Sequence, residues 1–229
     1  PAPRLRKALG PDAPEILVKN DELTGFGLGG NKVRKLEYFL APEEIDGVTH
    51  LITTGGPQSN HCRVTAAAAA HLGRRCVLVI DGRAEEPPRG NALLHRLFGA
   101  EIRTVSDRAA RDPAMKEAAR EITADGGRAL VIPLGASTPR GALGYARGAL
   151  ELHAQLREPG EAEGASPEEG RAARPVRVYL ASSSAGTLGG LAAGFTIVAH
   201  DAVEPVGVSA DVPADELTAE ALRLGRGVL

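Results

Sequence analysis

The chain has 229 residues, of which 27 are Lys or Arg and 29 are Asp or Glu, so its formal net charge is −2. A balance this close to neutral indicates neither a nucleic-acid partner nor an anionic membrane surface. No apolar run is long enough to span a membrane, and we expect a soluble, cytoplasmic protein. The cysteines, Cys62 and Cys76, match no metal-ligand spacing, which favours reduced, buried thiols and no metal site.

The first part of the chain alternates between predicted strands and helices. A short strand at 15–19 leads through a Gly-rich loop to a helix that begins near Lys32 and carries Leu36, Phe39 and Leu40 on one stripe. Further strands are predicted at 49–54, 76–80, 101–105 and 129–134, and further helices at 59–72, 91–98, 112–125 and 141–156, with Asp112 and Pro113 as a capping signal.

The segment 157–175 is rich in charge, glycine and proline, and is expected to be a mobile surface insertion. After it the alternation resumes, with strands at 176–181 and 205–209 and helices at 187–200 and 214–224. Strands and helices that alternate without hairpin signals predict parallel βαβ units and a doubly wound α/β fold.

The sequence GGNKVRKLE at 29–37 places Lys32 where a loop meets a helix. The partial positive charge of a helix N-terminus lowers the pKa of a lysine there, and Arg34 and Lys35 are expected to act in the same direction. A free amine is the form that attacks a carbonyl. Lys32 is therefore a candidate Schiff-base lysine, and the alternative interpretation is a solvated lysine on the first helical turn.

Ligands of open α/β sheets bind in the loops at the carboxyl ends of the strands, and the loop GGPQSNH at 55–61 is the first of three unusual ones. Gln58, Ser59, Asn60 and His61 supply hydrogen-bond donors suited to a carboxylate at a helix N-terminus. A simple helix cap at Ser59 or Asn60 accounts for one of these residues, not for the set.

The second loop, SSSAGTLGG at 182–190, offers backbone N–H groups and hydroxyls to a phosphate at Ser184, Ala185, Gly186 and Thr187. Its glycine spacing does not match G-x-G-x-x-G, and no G-K-[ST] sequence occurs. The alternative is a flexible turn into a tightly packed helix. The third loop, at 135–139, taken alone predicts a turn with a hydroxyl cap.

A reactive lysine, a carboxylate loop and a single-phosphate loop together suggest pyridoxal phosphate. Its aldehyde requires the lysine, its phosphate the second loop, and its amino-acid substrate the first. The absence of H-E-x-x-H, G-x-S-x-G and paired C-x-x-C sequences argues against zinc proteases, serine hydrolases and zinc ribbons.

Four motifs in the same order resemble the D-cysteine desulfhydrase and 1-aminocyclopropane-1-carboxylate (ACC) deaminase family: GGNKVRKLE at 29–37, QSNHCR at 58–63, IPLG with GALGY at 132–145, and SSSAGT at 182–187. The resemblance implies a pyridoxal-phosphate homodimer with the fold type II architecture of the tryptophan synthase β subunit. It implies two parallel-sheet, three-layer α/β/α domains: a larger cofactor domain from 1–35 and 146–229, and a smaller domain from 36–145.

The resemblance also implies the roles of individual residues. Lys32 would carry the cofactor as an internal aldimine and move the Cα proton, and Asn31 would contact the cofactor's ring oxygen. Ser59 would act in catalysis and, with Asn60, at the carboxylate of a small amino-acid substrate. The substrate site would also include Gln58 and His61, and the phosphate site Ser184, Ala185, Gly186 and Thr187.

His61 favours the desulfhydrase branch, because the deaminases typically carry glutamine there. The implied reaction is α,β-elimination of D-cysteine to pyruvate, ammonia and sulfide. The alternatives are ring-opening deamination of ACC to 2-oxobutanoate, a catalytically inactive protein, and a Rossmann-like binder without pyridoxal phosphate. Ser183 and Ala185 replace glycines common in the family, and the chain is expected to be C-terminally truncated, without the family's active-site tyrosines and pyridine-nitrogen partner.

Overall fold

The structure is a computed structural model that describes residues 1–82, 86–157, 175–198, 202–209 and 211–229. The insertion predicted at 157–175 lies outside these residues except for its two ends, as does the end of the helix predicted at 187–200. No helix in the described part of the chain is long and apolar enough to cross a lipid bilayer.

Strands and helices alternate along the described chain, which confirms the predicted α/β fold. The strands are β1 (His50–Gly55), β2 (Arg75–Asp81), β3 (Glu101–Val105), β4 (Ala129–Val131), β5 (Val176–Ala181) and β6 (Val203–Val208). The helices are α1 (Pro3–Leu9), α2 (Asn31–Phe39), α3 (Pro42–Ile45), α4 (Asn60–His71), α5 (Gly90–Leu97), α6 (Arg111–Ala124), α7 (Pro139–Arg157), α8 (Gly186–Ile197) and α9 (Ala214–Arg226), with 3₁₀ turns at Asp21–Thr24 and Leu134–Ala136.

The first sheet is parallel, in the order β3-β2-β1-β4. Its central strands β1 and β2 are buried on both faces, which explains their nearly continuous apolar sequence. Helices α2 and α4 pack on one face, and α6 packs on the other through Met115, Ala118 and Ile122. These are the three layers that the family resemblance implies.

The loop at 55–61 leads into helix α4. The Ser59 side chain accepts a hydrogen bond from the Cys62 N–H at 3.2 Å, so Ser59 is the N-cap that the sequence suggested. The alanines at 66–69 are all buried. Their small side chains let α4 lie close to the sheet, and the cap fixes where the loop enters the helix.

The second sheet pairs β5 with β6 in parallel. Helices α7 and α8 cover one of its faces through Tyr145, Leu191 and Phe195. Tyr179 points to the opposite face, where it is 65% exposed. The domain boundaries predicted at 35/36 and 145/146 fall inside α2 and α7, and they stay a prediction.

Helices α2, α7 and α8 meet backbone to backbone through glycines, a contact that we call the glycine seam. A Cβ atom at Gly144 of α7 would lie 2.0 Å from the Arg34 carbonyl oxygen of α2, and one at Gly190 of α8 would lie 2.3 Å from the Ala142 carbonyl oxygen of α7. Only glycine permits this approach. The seam therefore joins α2, which carries Lys32, to α8, at whose start lies the phosphate loop predicted at 182–190.

A predicted strand and a predicted helix cap are wrong. Residues 15–19 form no strand, because no strand of the described chain lies beside them, and Val18 is 60% exposed. Helix α6 begins one residue before Asp112, after Ala110, and no side chain caps it. The Asp107 carboxylate accepts a hydrogen bond from the Ala110 N–H at 3.0 Å instead, so the acidic signal lies five residues earlier than expected.

Candidate active site

The loop before α2 holds Lys32 at the start of that helix, as the sequence predicted. Gly29 and Gly30 have φ angles of 69° and 100°, and a Cβ atom at Gly29 would lie 1.9 Å from the Glu22 carbonyl oxygen. The turn therefore requires glycine. Lys32 Nζ donates to Asn31 Oδ1 at 3.1 Å, and burial lowers the pKa of Lys32.

The lowered pKa has the predicted direction, and its cause is burial. Arg34 points away from Lys32 and forms ion pairs with Asp21 at 3.1 Å and Glu151 at 2.8 Å. Its charge is therefore balanced on the other side of α2. Burial alone favours the neutral amine, which is the nucleophilic form.

A second buried lysine, Lys35, lies one helical turn after Lys32; the sequence predicted for it only an effect on the pKa of Lys32 and no contact with a ligand. It is 1% exposed, and its Nζ donates to Ser137 Oγ at 2.7 Å, while Ser137 Oγ donates to Ser184 Oγ at 2.7 Å. Burial, and then the charge of Lys32, lower the pKa of Lys35 to about 7. The available signal was the i,i+3 spacing, which places both lysines on one side of the helix.

The phosphate loop brings the N-terminus of α8 against these lysines. Asn31 Nδ2 donates to Thr187 Oγ1 at 3.2 Å, and Ala185 takes the left-handed conformation with φ 57°. A Cβ atom at Gly186 would lie 2.6 Å from Lys35 Nζ. The structure thus brings Asn31, Lys32 and the predicted phosphate residues together.

The third loop, at 135–139, closes this cluster. A Cβ atom at Gly135, where φ is 66°, would lie 2.8 Å from Ser184 Oγ and 3.6 Å from Lys32 Cε. The predicted hydroxyl cap is Thr138, whose Oγ1 accepts from the Gly141 N–H at 3.1 Å. Ser137 is left to face Lys35, so this loop contributes to the site as well as ending a strand.

The cluster fits a bound anion and an aldehyde. Neither Lys32 nor Lys35 takes part in an ion pair within the described ranges. The positive charge that Lys35 carries when protonated lies beside a helix N-terminus and is balanced by no carboxylate there, so a bound anion would neutralise it. The free Lys32 amine and the hydroxyls of Ser184 and Thr187 match the reactive groups of pyridoxal phosphate.

The loop at 55–61 is the predicted substrate half of the site. The Gln58 side chain accepts from the Asn91 N–H at 2.9 Å and donates to the Arg89 carbonyl oxygen at 3.1 Å. Asn60 is exposed, while its Oδ1 atom accepts from Arg63 Nη1 at 2.9 Å. Sequence reasoning did not identify Arg63 and Asn91, since only the fold brings α4 and α5 together.

His61 lies beneath this loop rather than on its surface, with an exposed fraction of 2%. Thr53 Oγ1 donates to the Ile132 carbonyl oxygen at 2.8 Å, so it can only accept from His61 Nε2, also at 2.8 Å. Burial, followed by the charges of Lys32 and Lys35, lowers the pKa of His61 to about 3. The ring is therefore neutral at physiological pH.

The two halves are joined by Arg63, whose Nη2 donates to the Gly29 carbonyl oxygen at 2.7 Å.

Neither a cysteine nucleophile nor a metal site is indicated in the described part of the chain. Burial raises the pKa of the Cys62 thiol to about 12, which disfavours a thiolate nucleophile. Within the described residues, no three His, Cys, Asp or Glu side chains lie together as a metal site would require.

Comparison with known proteins gives a consistent result. A family model described as "Pyridoxal-phosphate dependent enzyme" matches residues 1–225. The D-cysteine desulfhydrases of Salmonella paratyphi B and Salmonella newport are each 40% identical to the chain over 212 residues. The match covers 90% of this chain and 60% of each relative, so the chain spans about 60% of their length.

Comparison with solved structures gives the same fold as the comparison of sequences. The crystal structure of an ACC deaminase homologue is 34% identical, with a TM-score of 0.76 over 92% of this chain and 60% of that one. The apo form of Escherichia coli diaminopropionate ammonia lyase is 21% identical, with a TM-score of 0.59 over 89% of this chain and 55% of that one. The second likeness shows a shared fold alone.

Proposed function

Because the chain belongs to the family of pyridoxal-phosphate dependent enzymes, with the predicted fold type II architecture confirmed, we propose that it forms part of a lyase that converts D-cysteine to pyruvate, ammonia and sulfide. The observation that carries the proposal is the buried Lys32 amine, held by Asn31 beside the N-terminus of α8. The 40% identity to D-cysteine desulfhydrases supports this substrate.

The cofactor half of the site would bind pyridoxal phosphate as follows. When bound, this group supplies an aldehyde carbon for an amine and a ring that stabilises negative charge at the substrate Cα. Asn31 orients the Lys32 amine through the 3.1 Å hydrogen bond and would also contact the ring oxygen. The phosphate would be held by Lys35 together with Ser184, Ala185, Gly186 and Thr187.

The substrate half would bind the amino acid by its carboxylate. Asn60 and Ser59 lie where α4 begins, so donors from both residues and the helix N-terminus meet an anion there. Lys32 Nζ would remove the Cα proton, and the thiolate would then leave from Cβ. Gln58 would lie at the edge of this site, and the neutral His61 would shape the floor beneath it.

Ring-opening deamination of ACC is the second candidate, because an ACC deaminase homologue shares 34% identity and the same fold. His61 favours the desulfhydrase reaction. Sulfide and pyruvate from D-cysteine, without 2-oxobutanoate from ACC, would support the first candidate. The opposite products would support the second.

The proposal also covers the cellular location and the assembly of the protein. We expect a cytoplasmic homodimer that acts on a small amino acid, on the basis of the family resemblance. Sedimentation equilibrium measures the assembly directly, and a monomer at every concentration would contradict it.

The decisive experiment follows the visible absorption of protein-bound pyridoxal phosphate. Borohydride reduction and peptide mapping then identify the lysine that carries it. We expect modification of Lys32 in the wild-type chain and in the control Lys116→Ala, which changes an exposed lysine on α6, and none at this site in Lys32→Ala. A folded wild-type chain without the absorption band, or with the label on Lys35, would contradict the proposal.

A further inference from the structure

Behind the carboxylate loop lies a buried arginine whose hydrogen-bond partners are all neutral. Arg63 is 9% exposed, and its Nη atoms donate to Gly29 O at 2.7 Å, Asn60 Oδ1 at 2.9 Å and Asn91 Oδ1 at 3.3 Å. In the part of the chain that the structure describes, no carboxylate pairs with this guanidinium. Its charge therefore favours an anion nearby.

The contacts of Asn60 determine which way its amide faces. The Oδ1 atom accepts from Arg63 Nη1 and from Asn91 Nδ2, each at 2.9 Å. A carbonyl oxygen has two lone pairs, so both are used on the protein side. The Nδ2 group must then face away from the protein, and it donates to no other residue in the described ranges.

Asn91 fixes the same loop through a second set of contacts. Its Nδ2 group uses both hydrogens, one on Asn60 Oδ1 and one on the Gln58 carbonyl oxygen at 2.8 Å. Its backbone N–H also donates to Gln58 Oε1 at 2.9 Å. Exchange of the Asn91 amide oxygen and nitrogen would break this pattern, so one orientation is specified.

We propose that Arg63 and Asn91 are positioning residues for the α-carboxylate of the amino-acid substrate, an inference that rests on the proposed function. They turn the Asn60 Nδ2 donors toward the carboxylate and leave the arginine's charge unbalanced behind them. Through Gly29, Arg63 also holds this donor in a fixed position relative to the turn that carries Lys32. The distance between the carboxylate donor and the reactive amine is thereby held constant.

The sharpest test is Asn91→Asp, which keeps the side-chain shape and replaces the Nδ2 donor by an acceptor. The new carboxylate would pair with Arg63 and accept from Asn60, so the Asn60 amide would reverse and its oxygen would face the substrate carboxylate. Asn91→Ala removes the donor without imposing the reversal. Asn20→Asp, at an exposed residue without a side-chain cap hydrogen bond, is the control for added charge.

The probes are D-alanine and D-alaninamide, which differ only at the carboxylate. Each is titrated against the full chain loaded with pyridoxal phosphate, and the change in visible absorption gives its Kd. We expect the preference for D-alanine to fall about tenfold or more in Asn91→Asp and less in Asn91→Ala, since a charge-assisted hydrogen bond is lost. Affinity for D-alaninamide should stay near the wild-type value, which a general loss of structure would not permit.

A second measurement uses the cofactor-free chain, so it does not depend on the proposed function. The Asn60 side-chain amide, assigned by its loss in Asn60→Ala, should exchange rapidly with water in the wild type and be protected in Asn91→Asp. Equal exchange in both proteins, or an unchanged D-alanine preference, would overturn the positioning role. If the wild-type chain shows no cofactor absorption, the proposed function fails, while amide exchange still decides the orientation of Asn60.

Discussion

Lys32 and Lys35 lie one helical turn apart in the same buried environment, but their hydrogen-bond partners differ. Lys32 contacts an amide oxygen at 3.1 Å, whereas Lys35 contacts a serine hydroxyl and lies beside Gly186 at the start of α8. In the proposed function the first would react and the second would balance the phosphate. The two proposed roles follow from position rather than from residue type, since both residues are lysines.

Substitution of Lys35 should weaken cofactor binding without moving the attachment site. In Lys35→Met we expect the Kd for pyridoxal phosphate to rise about tenfold or more, because a charged hydrogen bond to the phosphate is lost. Absorption titration measures this, with Lys116→Met as the control. A Kd within twofold of the wild-type value would remove Lys35 from the phosphate site.

Lys35 should also make the stability of the cofactor-free chain depend on pH. Its pKa is about 7 in the folded chain, against an ordinary value of 10.5, so between these values the unfolded chain holds a proton that the folded chain has released. The free energy of unfolding therefore rises with pH in this window, by up to about 1.4 kcal/mol per pH unit. Lys35→Met lacks the contribution of this lysine, while that of Lys32 is present in both proteins.

Urea unfolding of both proteins at pH 7, 8 and 9 measures the effect. We expect the stability of the wild type relative to Lys35→Met to increase with pH across this series. Parallel curves would show that the lysine is not buried as described.

Single residues were predictable from sequence where the local motif defines them. GGNK specifies a glycine turn and a helix start, so it placed Lys32 correctly. Lys35 and Arg63 were not predictable in this way, because their burial and partners come from residues 102 and 34 positions away in the chain. Such contacts exist only once the helices have packed.

At the scale of elements, the glycine seam should be intolerant of even one methyl group. Gly144→Ala places a Cβ atom 2.0 Å from the Arg34 carbonyl oxygen, and we expect a loss of about 1–3 kcal/mol in the free energy of unfolding. Gly148→Ala is the matched control on the same helix, since its Cβ atom would meet nothing closer than 3.4 Å.

Denaturant unfolding distinguishes the two variants. The control should be neutral or gain up to about 1 kcal/mol, because alanine favours helix more than glycine does. If Gly144→Ala matched the control, α2 and α7 would not be in backbone contact.

Elements with a strong pattern were predicted closely, and those without one were not. β3 and β5 have the predicted bounds, and α8 and α9 start within one residue of prediction. The strand at 15–19 failed because alternation alone does not supply a neighbouring strand. β4 ends at Val131, shorter than predicted, because the chain turns at Pro133 into the site.

At the scale of the whole molecule, the two sheets should differ in how well their backbone amides are protected from exchange with water. β1 and β2 each lie between two other strands and are buried on both faces, whereas β5 and β6 pair only with each other among the described strands. Amide hydrogens exchange through local opening, which is easier where strands are exposed. We expect peptides from β5 and β6 to exchange well before those from β1 and β2.

Hydrogen-exchange mass spectrometry of the cofactor-free chain checks this order. The reverse order, or simultaneous exchange of both sheets, would show that the second sheet is as well covered as the first. Added pyridoxal phosphate should slow exchange at the start of α8, which serves as the internal control for binding.

The glycine seam also bears on how the molecule could move. A contact made by backbone atoms has no side-chain rotamers to rearrange, so we expect α2, α7 and α8 to move as one rigid block that carries Lys32 and the predicted phosphate loop together. A hinge that admits the proposed substrate would then lie outside these helices. The bridge from Arg63 to Gly29 joins this block to the carboxylate loop by side-chain hydrogen bonds, and opening the site would mean loosening that bridge while the reactive end stays still.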